Sequence, residues 1–201
     1  MNTMWDTRYA VDEYIFGTQP NEFLVSQQHL LKPGQKALAV ADGEGRNGVW
    51  LAKHGVEVLS VDASAVATEK AKKLAAQSGV EIQTEVADLC AWEWGENRFD
   101  IIAAIFIQFA PPDEREKMFR RIRHALKPGG YLILQGYTPK QVEYKTGGPP
   151  QAENMYTEQL LRDSFCGMDI VHLREHDNII CEGTHHCGIS ALIDMVARQP
   201  A

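Results

Sequence analysis

Apolar residues along this chain come in short blocks whose spacing alternates between strand and helix periods. Lys36 to Ala41 and Val56 to Val61 are apolar runs of strand length, and Arg46 to His54 between them has the spacing of an amphipathic helix. Ser64 can cap a helix carrying Val66, Ala67, Ala71 and Leu74, closed by Gly79. Residues 80 to 86 then alternate Val80, Ile82, Thr84 and Val86, as a strand does. Phe99 to Phe106 is continuously apolar, the mark of a central strand covered on both faces, and should lie beside the first strand. Pro111 and Pro112 introduce a helix through Met118, Phe119, Ile122 and Leu126, and Lys127-Pro128-Gly129-Gly130 turns into a strand over Tyr131 to Gln135. Strand and helix alternating this regularly predict an α/β doubly wound, Rossmann-like sheet that is mostly parallel.

The two ends depart from this rhythm. Residues 1 to 20 form an aromatic-rich arm, with Trp5, Tyr9, Tyr14 and Phe16, that must cover either the core or a ligand. Asn21 can cap a helix through Phe23, Leu24, Leu30 and Leu31, ended by Pro33 and Gly34. Residues 137 to 155 lack an apolar period and contain Gly147, Gly148, Pro149 and Pro150, which suggests a lid or substrate loop. A helix near Thr157 to Phe165 follows. Met168 to Glu175 and Gly188 to Val196 then read as an antiparallel hairpin around a polar loop, Asp177 to His186.

A length of 201 residues favours a single domain spanning 1 to 201. The formal charge of −7 and the absence of any basic run argue against nucleic acid or an anionic membrane as partner. A small-molecule acceptor fits better, with the chain a monomer or homodimer. Cys90, Cys166, Cys181 and Cys187 have no C-x-x-C spacing, and the first ten residues lack the apolar segment of a signal peptide. A reduced, cytoplasmic setting is therefore expected.

The candidate chemistry centres on residues 41 to 62. Glycines at 43 and 45 let a ligand lie on the main chain, and the helix starting at Arg46 offers free N–H groups to an anion. Asp62 stands 17 residues past Gly45 at a strand end, where a carboxylate can hold a ribose diol. Gly43, Gly45 and Gly48 also satisfy the G-x-G-x-x-G dinucleotide pattern, so NAD is a rival ligand. Asp42 and Glu44 would repel a pyrophosphate and suit a ligand carrying a sulfonium and an ammonium, which favours S-adenosylmethionine. Asp88, at the end of the third strand, could bond an adenine amino group or merely cap its loop.

These features resemble the class I S-adenosylmethionine-dependent methyltransferases, whose seven-stranded sheet ends in a C-terminal antiparallel hairpin. The resemblance rests on Asp42-Gly43-Glu44-Gly45-Arg46-Asn47, Asp62, Asp88-Leu89, Phe99-Asp100 and Leu126-Lys127-Pro128-Gly129-Gly130. Trp5-Asp6-x-Arg8-Tyr9 and Tyr14-x-Phe16-Gly17-x-x-Pro20-Asn21-x-Phe23-Leu24 are further similar to small bacterial methyltransferases grouped with tellurite-resistance and thiopurine methyltransferase-like proteins. The resemblance implies S-adenosylmethionine as cofactor, held by Ala41 to Arg46, Asp62, Ala63, Asp88, Leu89 and Ile105. Two positions depart from the pattern. Ala41 stands where a glycine is usual and Ala39 where an acid is usual, so Asp42 or Glu44 must replace a contact to the methionine ammonium.

On the acceptor side the sequence offers Tyr14 and Phe16 of the arm and the segment Glu182 to Cys187. There, Glu182, Gly183, His186 and Gly188 match a Glu-Gly-x-x-His-x-Gly stretch of the related methyltransferases. His185 and His186 could bind an acceptor, and His186 or Tyr14 could serve as base. Thiolates and reduced selenium or tellurium species would need none. Cys181, His185, His186 and Cys187 match no common zinc spacing, so no metal is expected. A short NAD-dependent oxidoreductase and a non-catalytic S-adenosylmethionine-binding module are the competing readings.

Overall fold

The structure, a computed structural model, describes residues 4–183 and 186–201, the side chain of His186 excepted. In chain order the elements are α1 (Met4–Tyr9), α2 (Glu22–Ser26), β1 (Lys36–Val40), α3 (Arg46–Lys53), β2 (Glu57–Asp62), α4 (Ala65–Gln77), β3 (Gln83–Val86), β4 (Phe99–Ile105), α5 (Pro112–Ala125), β5 (Leu126–Tyr137), α6 (Gln141–Tyr144), α7 (Glu158–Ser164), β6 (Asp169–Glu182) and β7 (His186–Arg198). The strands form one seven-stranded sheet in the order β3-β2-β1-β4-β5-β7-β6. All neighbours from β3 to β5 are parallel, and β7 runs antiparallel to both β5 and β6.

Alternation along the central strands divides the core between two faces. On β1 and β4, Leu38, Val40, Ile102 and Ala104 turn to one side, where Met118, Phe119 and Ile122 of α5 and Phe165 after α7 cover them. Ala37, Ala39, Ile101 and Ala103 turn to the other, against Phe23 and Leu24 of α2 and Leu51 of α3. The register that pairs Leu38 with Ile102 keeps each layer on its own side. Because parallel strands share one polarity, the carboxyl ends of β1, β2, β4 and β5 open on a single edge of the sheet.

Four segments differ from the sequence expectation. The helix starting at Asn21 stops at Ser26, whose hydroxyl donates to Phe23 O at 2.7 Å, and a separate 3₁₀ turn carries Gln28–Leu30. Strand β3 is only Gln83–Val86, since Gly79 turns Val80 back so that its N–H donates to Ala75 O at the end of α4. Segment 137 to 155 contains α6 and a 3₁₀ turn, and it is fastened to the terminal hairpin. There Gln141 Oε1 accepts from Ala191 N at 2.8 Å, Thr146 Oγ1 donates to Ile189 O at 2.6 Å, and Lys140 pairs with Asp177. The largest correction concerns Asp177 to Glu182, expected as loop, which belongs to strand β6, while Thr184 and His185 of that expected loop lie outside the described residues. The ladder continues from Asp177↔Ala191 to Glu182↔His186, because backbone pairing closes an antiparallel ribbon however polar its side chains are.

Ile102 is fully buried at the centre of the sheet. Ile102→Ala is expected to lower the unfolding free energy by about 2–5 kcal/mol, read from the urea midpoint at unchanged m-value.

Candidate functional site

The reversal between β1 and α3 leaves almost no room for side chains. Gly43 and Gly45 take the left-handed conformation, with φ 57° and 88°. A Cβ at Gly45 would lie 2.6 Å from Ala71 Cβ, so α4 packs directly on the loop; one at Gly43 would lie 2.7 Å from the Tyr9 hydroxyl. Ala41, where glycine is usual, is forced to φ 49°, a conformation that costs a non-glycine residue roughly 1–2 kcal/mol.

Three carboxylates hold this turn. Asp62 Oδ2 accepts from Gly43 N at 2.9 Å and Oδ1 from Ser64 N at 2.8 Å, which ties the end of β2 to the loop and to the start of α4. Burial raises its carboxyl above the ordinary value against the pull of these bonds. Asp42 departs from the charge argument made on the sequence. Its carboxylate is packed between α3 and β2, where it accepts from Ser60 Oγ at 2.9 Å and from Gly48 N at 3.2 Å. Gly45, the N-cap of α3, offers no side chain, and Asp42 supplies the acceptor that this helix start requires. Glu44 pairs with Lys70 at 2.7 Å, and its other oxygen, Oε2, is buried without a hydrogen-bond partner.

The arm closes over this loop. Asp6 accepts from Ser64 Oγ at 2.6 Å, anchoring α1 at the start of α4. Trp5 stacks on Tyr9 with centroids 5.7 Å apart, and the Arg8 guanidinium lies over Trp5 and Phe16 at 5.0 and 5.4 Å. Burial and the nearby Asp62 and Glu44 carboxylates push the Tyr9 phenol far above its ordinary range. In the sequence Asp6 and Tyr9 stand out only as members of the arm and its motif, because nothing there says where the arm docks.

Beside the loop, at the carboxyl ends of the strands, lies a cavity of about 460 Å³ between the arm, α2 and the β6–β7 hairpin. A continuous chain of polar side chains lines it. Arg46 Nη2 donates to Glu182 Oε2 at 2.6 Å, and Asn21 Nδ2 donates to Glu182 Oε1 at 2.8 Å and to Gln135 Oε1 at 2.6 Å. Gln135 Nε2 donates to Asp194 Oδ1 at 2.6 Å, and Asp194 Oδ2 lies 2.7 Å from His176 Nε2. The β5–β7 register places Gln135 opposite Asp194, which is why two strands supply adjacent links. Apart from Arg46, Glu182 and Asn21, the last expected only as a helix cap, sequence reasoning gave these residues no role. The available signal was a lone polar residue in each apolar run, Gln135 closing Tyr131 to Gln135 and Asp194 inside Ala191 to Val196.

Other expected positions fall as follows. Tyr14 is not at the cavity: its hydroxyl donates to Lys70 O at 3.2 Å and its ring packs with Val49 of α3 and Leu74 of α4. Phe16 does line the cavity. No residue of 137 to 155 lines it, which departs from the lid expectation. His186 opens β7 opposite Glu182, while its side chain and all of His185 lie outside the described residues. Asp88 accepts from Cys90 N at 2.9 Å as a loop cap, Leu89 is buried beside it, Ala63 follows the end of β2, and Ile105 ends β4 at the same edge. Among the described residues no group of three metal-ligating side chains converges, and no helix is long and apolar enough to cross a membrane.

Burial raises the Asp42 carboxyl from 3.8 to about 7. The folded protein therefore keeps this proton while the unfolded chain loses it, and Asp42's contribution to stability falls as pH rises from about 4 to about 7. Asp42→Asn is expected to remove that part of the slope in urea titrations across this window. A variant with the wild-type pH dependence would show that Asp42 is ionised throughout.

Comparison with known proteins agrees with this architecture. Residues 37–130 match the family described as methyltransferase domain. Phosphoethanolamine N-methyltransferase 3 of Arabidopsis thaliana is 34% identical over 112 residues, covering 53% of this chain and 22% of that protein. The chain spans less than half the length of the curated relatives it matches. A structure solved for the conversion of a disulfide bond into a thioacetal group during echinomycin biosynthesis superposes with TM-score 0.77 at 20% identity, covering 98% of this chain and 91% of that one. TehB from Haemophilus influenzae superposes with TM-score 0.72 at 16% identity, covering 97% of this chain and 65% of that one. Residues 37–130 thus match the methyltransferase-domain family, and the chain carries the fold of the class I S-adenosylmethionine-dependent methyltransferases.

Proposed function

We propose that this chain transfers a methyl group from S-adenosylmethionine to a small molecule held in the cavity between the arm and the β6–β7 hairpin. The observation that carries this reading is the unbroken polar chain from Arg46, at the glycine loop, to His176 on the cavity wall. It joins the cofactor end of the sheet to a separate space of small-molecule size.

The loop fits the cofactor. Its backbone is bare at Gly43 and Gly45, and Glu44 Oε2 is a buried acceptor without a partner, suited to an ammonium. Asp62 would hold the ribose, Ala63, Asp88, Leu89 and Ile105 the adenine, and Ala41 to Arg46 the methionine part beneath Tyr9. When bound, the cofactor supplies a methyl group on a sulfonium. The protein's part is to align an acceptor in the cavity and exclude water, and good alignment in intramolecular reactions contributes about 7–11 kcal/mol.

The His176–Asp194 pair favours acceptors that must lose a proton. With Nε2–H donated to Asp194, the imidazole keeps a lone pair on Nδ1 that can take a proton from a thiol, an amine or a hydroxyl. The N-methyltransferase named among the relatives is consistent with the amine class. Reduced selenium and tellurium anions would make the pair unnecessary. His186 stays a candidate for contact with the acceptor through its motif.

The test is release of S-adenosylhomocysteine from S-adenosylmethionine in the presence of thiols, amines, phenols and chalcogen oxyanions, with calorimetry of both cofactor forms and of NAD. Turnover with a protonated acceptor is expected, and binding without turnover across the panel would leave a non-catalytic binding module. Asp62→Ala is expected to weaken cofactor binding by about 1.5–3 kcal/mol. Asp194→Asn should lower kcat about 100-fold or more and change its pH profile at unchanged cofactor affinity. Wild-type kinetics in the second variant would remove the base from the mechanism.

A further inference from the structure

Cys181 and Cys187 are direct cross-strand partners in the β6–β7 ladder, one step before the terminal pair Glu182 and His186. Their Sγ atoms are 3.0 Å apart, and both residues are exposed. Opposed residues of an antiparallel pair have Cα atoms about 4.5–5.5 Å apart. A disulfide bridges Cα separations of roughly 4.4–6.8 Å, so bond formation needs side-chain rotation and no movement of the strands. Cys181 also lines the cavity, and its neighbour Glu182 receives Arg46 and Asn21. The thiol pair thus sits on the element that fixes one wall of the cavity.

We propose that Cys181 and Cys187 form a reversible disulfide that fastens the hairpin tip at the cavity, with a low-molecular-weight disulfide as oxidant. One cysteine thiolate attacks a sulfur of the small disulfide, forming a mixed disulfide and releasing one small thiol. The second cysteine thiolate attacks the protein sulfur of that mixed disulfide, closing the cross-link and releasing the other small thiol. The two protein thiols give up two protons and two electrons, and the small disulfide takes up both. Excess small thiol reverses the sequence. The bond closes only a short loop, so its effect falls on the tip, where Glu182 meets Arg46, more than on global stability. The assignment depends on the thiol geometry alone and stands whether or not the cavity hosts methyl transfer.

The full chain is treated with oxidised glutathione, blocked with N-ethylmaleimide and cut with trypsin. No lysine or arginine lies between Arg174 and Arg198, so Cys181 and Cys187 share one peptide. That peptide is expected to lose two hydrogens and take up no maleimide. Exposed Cys166, on a different peptide, should carry glutathione and report that the oxidant was active. Cys187→Ser should instead retain glutathione on Cys181. In the linked wild type, amide exchange at Glu182 and Gly188 is expected to slow severalfold relative to the reduced protein. A wild-type peptide carrying maleimide or glutathione on both cysteines would overturn the proposal, as would equal exchange in the linked and reduced forms.

Discussion

The carboxylate of Asp62 fixes the position of the glycine loop, and the site is arranged around that loop. It joins Gly43, in the loop after β1, to Ser64, at the start of α4, by accepting from both backbone N–H groups. The same residue ends a strand whose register against β1 is set by buried side chains, so the carboxylate's position follows from the core. Alpha4 then packs on Gly45 at a distance that no Cβ tolerates, and α1 is pinned to α4 through Asp6 and Ser64. The aromatic arm therefore reaches the loop by a defined route, and its closure over Gly43 is a consequence of the sheet's order.

Desolvation shapes the rest of the site. Asp42, Glu44, Arg46, Asp62 and Asp194 are all nearly inaccessible to solvent. Buried charges persist only when paired or hydrogen-bonded, and each of these is held in one of those ways. The consequence is geometric: side chains joined by bonds of 2.6 to 2.8 Å across an arm, a helix and three strands have little freedom to rotate. A cavity bounded this way presents its hydrogen-bonding groups in fixed directions.

The terminal hairpin connects the two ends of the chain. Its strands run from the core, where Ile193 and Met195 are fully buried, out to a tip where Ile179 and Ile189 are exposed. The buried part places Asp194 opposite Gln135, and the outer part carries Glu182 to Arg46 and Asn21. Segment 137 to 155 grips the outer part through Gln141 and Thr146, so the hairpin is braced from outside the cavity while the arm borders it from within.

The fold was legible in the sequence because burial is periodic. The apolar runs at 36 to 41, 56 to 61 and 99 to 106, each followed by a helix, dictate a parallel sheet, and Asp62 at the end of its run marks one strand's carboxyl end. Where burial and backbone pairing part company, the sequence misleads: Asp177 to Glu182 reads as loop and is still paired as a ladder. Charge was legible as composition but not as direction, so Asp42 read as a ligand contact although its carboxylate serves the start of α3. The chain from Arg46 through Glu182, Asn21, Gln135 and Asp194 to His176 draws on residues as far apart in sequence as 21 and 194, and no local pattern announces it. The sequence by itself determined the architecture and the place of the glycine loop, because both follow from local periodicity and turn chemistry. Only the tertiary structure decided which polar side chains meet across the cavity and that Cys181 faces Cys187, because those contacts depend on strand register and on the side to which each residue turns.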